Sequence, residues 1–101
     1  MIIRRWQAPQ LPSPQQMKMM LSAEGLSPFE ETFSPDSHVG AHRHPFDEVR
    51  WIVAGQMVMD IAGNQVLLRA GDRIEVPSNT KHSMKAHGET DCLCLVAQRA
   101  F

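Results

Sequence analysis

The sequence contains no tyrosine, few cysteines, no excess of one charge and no long apolar run, and each absence narrows its possible functions. The 2 cysteines cannot build the disulfide framework of a small secreted domain. With no export signal at the N-terminus, we expect reduced thiols and a cytoplasmic protein. The 10 basic and 11 acidic residues give a formal net charge of -1, which argues against a nucleic-acid partner. No apolar stretch approaches the length of a membrane span. Because tyrosine is missing, acid–base chemistry falls to a histidine, a carboxylate or a metal-bound water.

What is present fits a single globular domain. The chain of 101 residues has room for one core, and its apolar share is 43%. Beyond Gly25, short β-prone segments alternate with glycine and proline turns, which is typical of an antiparallel sandwich or barrel. The predicted strands span residues 2–6 (an edge strand or a swapped arm), 29–33, 39–44, 49–54, 56–62, 65–69, 73–76, 82–86 and 91–98.

One helix is predicted ahead of these strands. Ser13 fits the N-cap, Pro14 the first helical position, and Gln16 closes a capping box. Gly25 stands where such a helix would end. The predicted buried face consists of Met17, Met20 and Leu21.

Histidines and acidic residues cluster in the middle of the chain. His42 and His44 are two residues apart, so on one extended strand both would point to the same face. Glu48 follows at an even offset, and His82 is the fourth candidate ligand. Three imidazoles and one carboxylate suit a divalent first-row metal and leave coordination positions open for water or substrate. Asp47 could compete with Glu48 if the strand register shifts.

Two longer patterns resemble the signature motifs of the cupin superfamily. They are His42-x-His44-x3-Glu48-x6-Gly55 and Gly71-x5-Pro77-x4-His82. The departures fall at turn and scaffold positions: Asp36 and Asn79 replace glycines of the family pattern, and Ala86 replaces an asparagine.

The resemblance implies an all-β fold, a small antiparallel cupin β-barrel of the double-stranded β-helix or jelly-roll type, with one short N-terminal helix. It implies a single domain over residues 1–101, in which 1–27 form an N-terminal strand and helix extension and 28–101 the barrel. It also implies a homodimer, a small-molecule ligand, and a divalent transition metal (Fe, Mn, Ni, Co or Zn) on His42, His44, Glu48 and His82.

Arg50 lies two residues after Glu48 and shares its parity along the predicted strand. A guanidinium there could capture a carboxylate or phosphate of a substrate. Alternatively, the register slips, or Arg50 pairs with Asp60 or Glu75. Ile52, two residues after Arg50, and Met84, two residues after His82, are predicted as apolar walls of a substrate pocket.

Cys92 and Cys94 share one strand face, where reduced cysteines usually act as small buried hydrophobes, although a redox or soft-metal role stays open. For the whole protein, three functions stay open. They are a metal-dependent small-molecule enzyme of an oxygenase-like or isomerase-like kind, a non-catalytic barrel that binds a ligand or metal, and a dimer stiffened by a structural metal.

Overall fold

Nine strands and one helix make up residues 1–99, the part of the chain described by our computed structural model. The elements are β1 (Ile2–Arg4), α1 (Pro14–Ala23), β2 (Phe29–Phe33), β3 (His38–His42), β4 (Asp47–Ala54), β5 (Gln56–Ile61), β6 (Asn64–Arg69), β7 (Arg73–Val76), β8 (His82–His87) and β9 (Cys92–Arg99). No helix within this range is long and apolar enough to cross a membrane.

The strands form two antiparallel sheets. One has five strands in the order β1-β7-β4-β9-β2, and the other has four in the order β3-β8-β5-β6. The predicted all-β antiparallel fold with one short N-terminal helix is confirmed. Within residues 1–99 the two sheets do not close into one ring, so the barrel takes the form of a jelly-roll sandwich.

The central strands of the five-stranded sheet are buried on both faces and contribute to two cores. On β4, Ile52 points into the space between the sheets, whereas Val49 and Trp51 pack under the helix. On β9, Cys94 belongs to the inner core and Leu95 to the helix side. This alternation follows from the period of two along a strand, and it directs one face of β4 toward the functional site.

The helix begins as predicted. The Ser13 side chain accepts from the Gln16 amide, and the Gln16 side chain accepts from the Ser13 amide, which completes the capping box. Met17 and Leu21 are fully buried against the sheet. The prediction for Met20 is wrong, since this side chain is 43% exposed and lies at the margin of the docked face.

Candidate metal centre

Three histidine rings converge where β3, β8 and the segment before β4 meet. His42 ends β3 and His82 begins β8, and the two residues are direct partners in the antiparallel ladder. Their ring centroids lie 4.3 Å apart, and the centroid of His44 is 4.5 Å from that of His42. One ring nitrogen of each lies within 4.8 Å of the other two. The structure therefore brings together the three histidines that the sequence singled out.

The backbone route of His44 differs from the prediction. The strand ends at His42 after a register irregularity, so His42 and His44 do not share one extended strand. Pro45 follows His44 directly and lacks the N–H that a continuing ladder would need. The His44 carbonyl accepts from the Asn79 amide at 2.6 Å, and its ring stacks on Phe46 with centroids 4.7 Å apart. These contacts turn the His44 ring back toward His42.

Backbone carbonyls fix how two of the rings present their nitrogens. His42 Nδ1 lies 2.7 Å from the Gly40 oxygen, and His82 Nδ1 lies 2.8 Å from the Thr80 oxygen. A carbonyl can only accept, so each Nδ1 is the donor of its hydrogen bond, which leaves Nε2 as the ring nitrogen that faces the cluster. This arrangement is the usual support for a metal-ligating histidine.

Glu48 completes the cluster from the opposite sheet. Its Oε1 lies 3.5 Å from His44 Nε2, and its Oε2 lies 3.6 Å from His82 Nε2. The residue is only 5% exposed, yet Glu48 Oε2 and His82 Nε2 have no hydrogen-bond partner. A buried polar atom without a partner is costly, so two of them facing each other call for a third group between them.

Asp47 does not compete for this position. Its Oδ1 accepts a hydrogen bond from the Ser78 amide at 2.7 Å, which holds the loop after β7 against the start of β4. Since successive residues of a strand point to opposite faces, this orientation leaves Glu48 facing the histidines.

The spacing of the cluster and the lowered pKa of His44 fit a cation. Ligands on one ion with bonds of about 2.1 Å lie about 3 Å apart at right angles and further apart at wider angles. His42 Nε2 and His44 Nε2 are 3.0 Å apart, and both contacts of Glu48 are slightly longer. Burial lowers the pKa of His44, and although the Glu48 carboxylate opposes this effect, the neutral ring that a metal requires is favoured.

A cavity of about 200 Å³ opens beside the cluster. Met84, which the sequence predicted as a pocket wall, lines it together with His42, His44 and Glu48. Ile52 is fully buried in the inner core and is not among the side chains that line the cavity. Its predicted role as a wall is therefore not supported by its position.

Arg50 also lines the cavity, with its side chain only 3% exposed. Its partners are Glu31, with Nη1 to Oε1 at 2.8 Å, and Glu48, with Nη2 to Oε1 at 3.4 Å. Arg50 pairs with neither Asp60 nor Glu75, the alternative partners predicted from the sequence. Asp60 accepts a hydrogen bond from the Gly63 amide, and Glu75 forms a salt bridge with Arg99. Burial alone would lower the pKa of Arg50, but the charges of its neighbours, led by Glu48, raise it.

Glu31 is the residue that sequence reasoning missed. It lies on β2, which is separated from β4 by β9, and its register position is opposite Cys94. The sequence contains one indication of this position. Glu31 lies two residues from both Phe29 and Phe33, so on one strand all three side chains point to the same face. The pairing order that brings Glu31 to Arg50 is not visible in the sequence.

The two cysteines lie in the inner core. Both are fully buried and free, and their sulfur atoms are 3.8 Å apart. The hydrogen bond between them raises the pKa of Cys92 and lowers that of Cys94, an effect that the Arg50 charge strengthens at Cys94. Their placement fits the predicted packing role.

Comparison with known proteins gives the chain its family. The sequence profile of the family described as "Cupin domain" matches residues 29–97. Acireductone dioxygenase from Bacillus licheniformis is 48% identical over 46 residues, which are 41% of this chain and 26% of that protein. The chain thus spans about a quarter of the length of the curated relative it matches.

Solved structures agree on the fold. A predicted oxalate decarboxylase from Thermotoga maritima superposes with a TM-score of 0.70 and 27% identity, over 90% of this chain and 76% of that one. A cupin protein from Bacteroides fragilis gives a TM-score of 0.66 and 22% identity, over 71% of this chain and 63% of that one. Since the family profile covers most of the chain and these structures share its architecture, the chain belongs to the cupin family.

Proposed function

We propose that this cupin holds a divalent transition metal on His42, His44, Glu48 and His82 and there acts on a small oxygen-rich ligand. The observation that carries the proposal is the pair of buried, unpartnered atoms, Glu48 Oε2 and His82 Nε2, 3.6 Å apart. A cation between them would satisfy both atoms, and the 3.0 Å separation of His42 Nε2 and His44 Nε2 already suits two ligands of the same ion.

Other residues of the chain would orient the metal ligands and form the walls of the cavity. A divalent metal held here would supply Lewis acidity, and Fe, Mn, Ni or Co would add redox chemistry with dioxygen that Zn lacks. Gly40 and Thr80 orient two of the imidazoles through their carbonyls. Met84 and Val39 form apolar walls that limit water in the cavity.

An oxygenase-like reaction is the activity we propose first. The local relative is named a dioxygenase, and its aligned part covers 46 residues of this small chain. A ligand of a few heavy atoms, such as a small carboxylate or an enediol, matches a cavity of about 200 Å³. A barrel that binds such a ligand without turnover is the competing function.

We also propose a cytoplasmic homodimer. Met1 and Ile2 are more than half exposed on and beside β1, which is an edge strand of the five-stranded sheet. Met19 on the neighbouring helix is 66% exposed. Such apolar surface supports self-association, and light scattering at several protein concentrations measures it.

Metal content tests the proposed site. His42→Ala and His82→Ala should each lower the metal bound per chain by about tenfold or more, because each removes a direct ligand. Elemental analysis of protein purified without chelator or a nickel column measures this. His87→Ala is the matched control, since His87 is exposed and stands at the far end of β8 from His82. Full metal occupancy in both ligand variants would refute the site.

Turnover distinguishes the two functions. Oxygen consumption by the Fe(II)-loaded protein with small 2-hydroxy acids or enediols would establish the oxygenase-like activity. Tight binding of such ligands without oxygen consumption or product would identify the chain as a binding module instead.

A further inference from the structure

Glu31 and Arg50 form an ion pair at the wall of the cavity. The Arg50 side chain is 3% exposed, whereas that of Glu31 is 37% exposed and reaches the same guanidinium from β2. Arg50 Nε is buried without a hydrogen-bond partner. The Glu31 carboxylate thus neutralises part of the Arg50 charge through Nη1, while Nε has no partner at all.

The cavity's charge depends on this glutamate. Among the side chains that line it, the charged groups are Glu31, Glu48 and Arg50, which leave one negative charge when the histidines are neutral. With a divalent metal the site carries one positive charge. A ligand with one negative charge would make it neutral, whereas a dianion would leave an uncompensated charge beside Glu31.

We propose that Glu31 tunes the ligand charge of this site, so that in the metal-loaded protein it weakens the binding of dianionic chelating oxygen ligands relative to monoanionic ones of the same shape. This inference rests on the proposed metal centre. Glu31 neutralises Arg50 and thereby withholds the cation that would stabilise a second carboxylate. The Glu31 carboxylate repels a second negative charge in the cavity, and because its side chain is 37% exposed, solvent screens part of this repulsion. The repulsion should therefore change the affinity for a dianion and not the stability of the fold.

Oxalate and oxamate are suitable probes, because they share a planar two-carbon frame and differ by one charge. Their dissociation constants are measured by calorimetry on the Co²⁺-loaded protein, and the visible Co²⁺ spectrum verifies that the metal stays bound. Glu31→Gln should tighten oxalate relative to oxamate by about tenfold, since it removes one charge and keeps the side chain's size. Glu31→Ala should shift the ratio in the same direction.

The matched control is Glu30→Gln. Glu30 is the adjacent residue of β2, faces the other side of the strand and pairs with Lys18 at 2.7 Å. The Glu30→Gln substitution removes the same charge outside the cavity and should leave the ratio of the oxalate and oxamate dissociation constants unchanged. Equal changes for both ligands in Glu31→Gln, no change, or a weaker oxalate affinity would overturn the role of Glu31.

The metal centre and the role of Glu31 can be refuted separately. A wild-type protein that takes up no Co²⁺ would overturn the metal centre and, with it, this inference. A wild-type protein that takes up Co²⁺ and binds the probes, with a Glu31→Gln variant whose preference is unchanged, would overturn the inference alone.

Discussion

At the scale of single residues, left-handed backbone fixes the connections around the site. Asn79 has φ of 57° at a position where the cupin pattern has glycine, and its amide holds the His44 carbonyl. Asparagine tolerates this conformation better than other residues with a side chain, so the departure from the family pattern keeps the turn. Gly55 and Gly71, which match the pattern, also have positive φ.

Gly55 should be far less tolerant of substitution than an open turn glycine. Its φ is 77°, and an added Cβ would press into the Asp91 carbonyl and lie 2.9 Å from Cys92 Cα. Gly55→Ala should therefore lower the free energy of unfolding by about 2–4 kcal/mol, through strain and a backbone clash. Urea denaturation followed by circular dichroism measures the loss.

Gly63→Ala is the control for this substitution. Gly63 has φ of 89°, but nothing lies within 4 Å of an added Cβ. Its cost should be only the strain of the left-handed backbone, about 1–2 kcal/mol. Equal losses in the two variants would show that close packing around Gly55 contributes nothing.

At the scale of elements, alternation and turn chemistry made the strands and helix predictable. The helix start at Ser13 and the strands 29–33 and 73–76 agree with the structure residue for residue. The end of β3 was not predictable from periodicity, because a register irregularity stops the strand at His42. Likewise, the contact of Arg50 depends on which strands become neighbours, and that is decided by the packing of the whole chain.

The helix is tied to the sheet by a pair that should depend on pH. Arg73 donates to both carboxylate oxygens of Glu24 at 2.5 and 2.7 Å, and lies over the Trp51 ring at 5.7 Å. These hydrogen bonds hold the pKa of Glu24 below its ordinary value of 4.5, against the opposing effect of partial burial. A depressed pKa means that the pair stabilises the fold above pH 4.5 and loses this contribution as the pH falls through the folded-state value.

Glu24→Gln should accordingly lower the free energy of unfolding at pH 7 by no more than about 1 kcal/mol, because solvent screens a carboxylate that is about one-third exposed. The difference from wild type should shrink on going to pH 3. Urea denaturation at both pH values measures it, with Glu89→Gln at an exposed turn as the control. A difference that stays constant with pH would contradict the assigned ion pair.

At the scale of the whole molecule, the candidate centre joins the two sheets. His42 and His82 belong to the four-stranded sheet, while Glu48 lies on β4 of the five-stranded sheet. The sequence could identify these side chains from their spacing, but only the packing of the sheets shows that they meet across the sandwich. An ion bound here would connect the two layers as well as serve the cavity.

Metal binding should therefore stabilise the entire fold. A ligand present at 100 times its dissociation constant raises the free energy of unfolding by about 2.7 kcal/mol when it binds only the native state. Added Co²⁺ should raise the melting temperature of the wild-type protein, and a chelator should reverse the change.

Glu48→Gln should keep the three histidines but lose most of this increment, because it removes the charged ligand from the opposite sheet. His87→Ala should respond to Co²⁺ like the wild type, since His87 is exposed on the far end of β8. A full Co²⁺-dependent increment in Glu48→Gln would show that the charge of Glu48 contributes nothing to holding the ion.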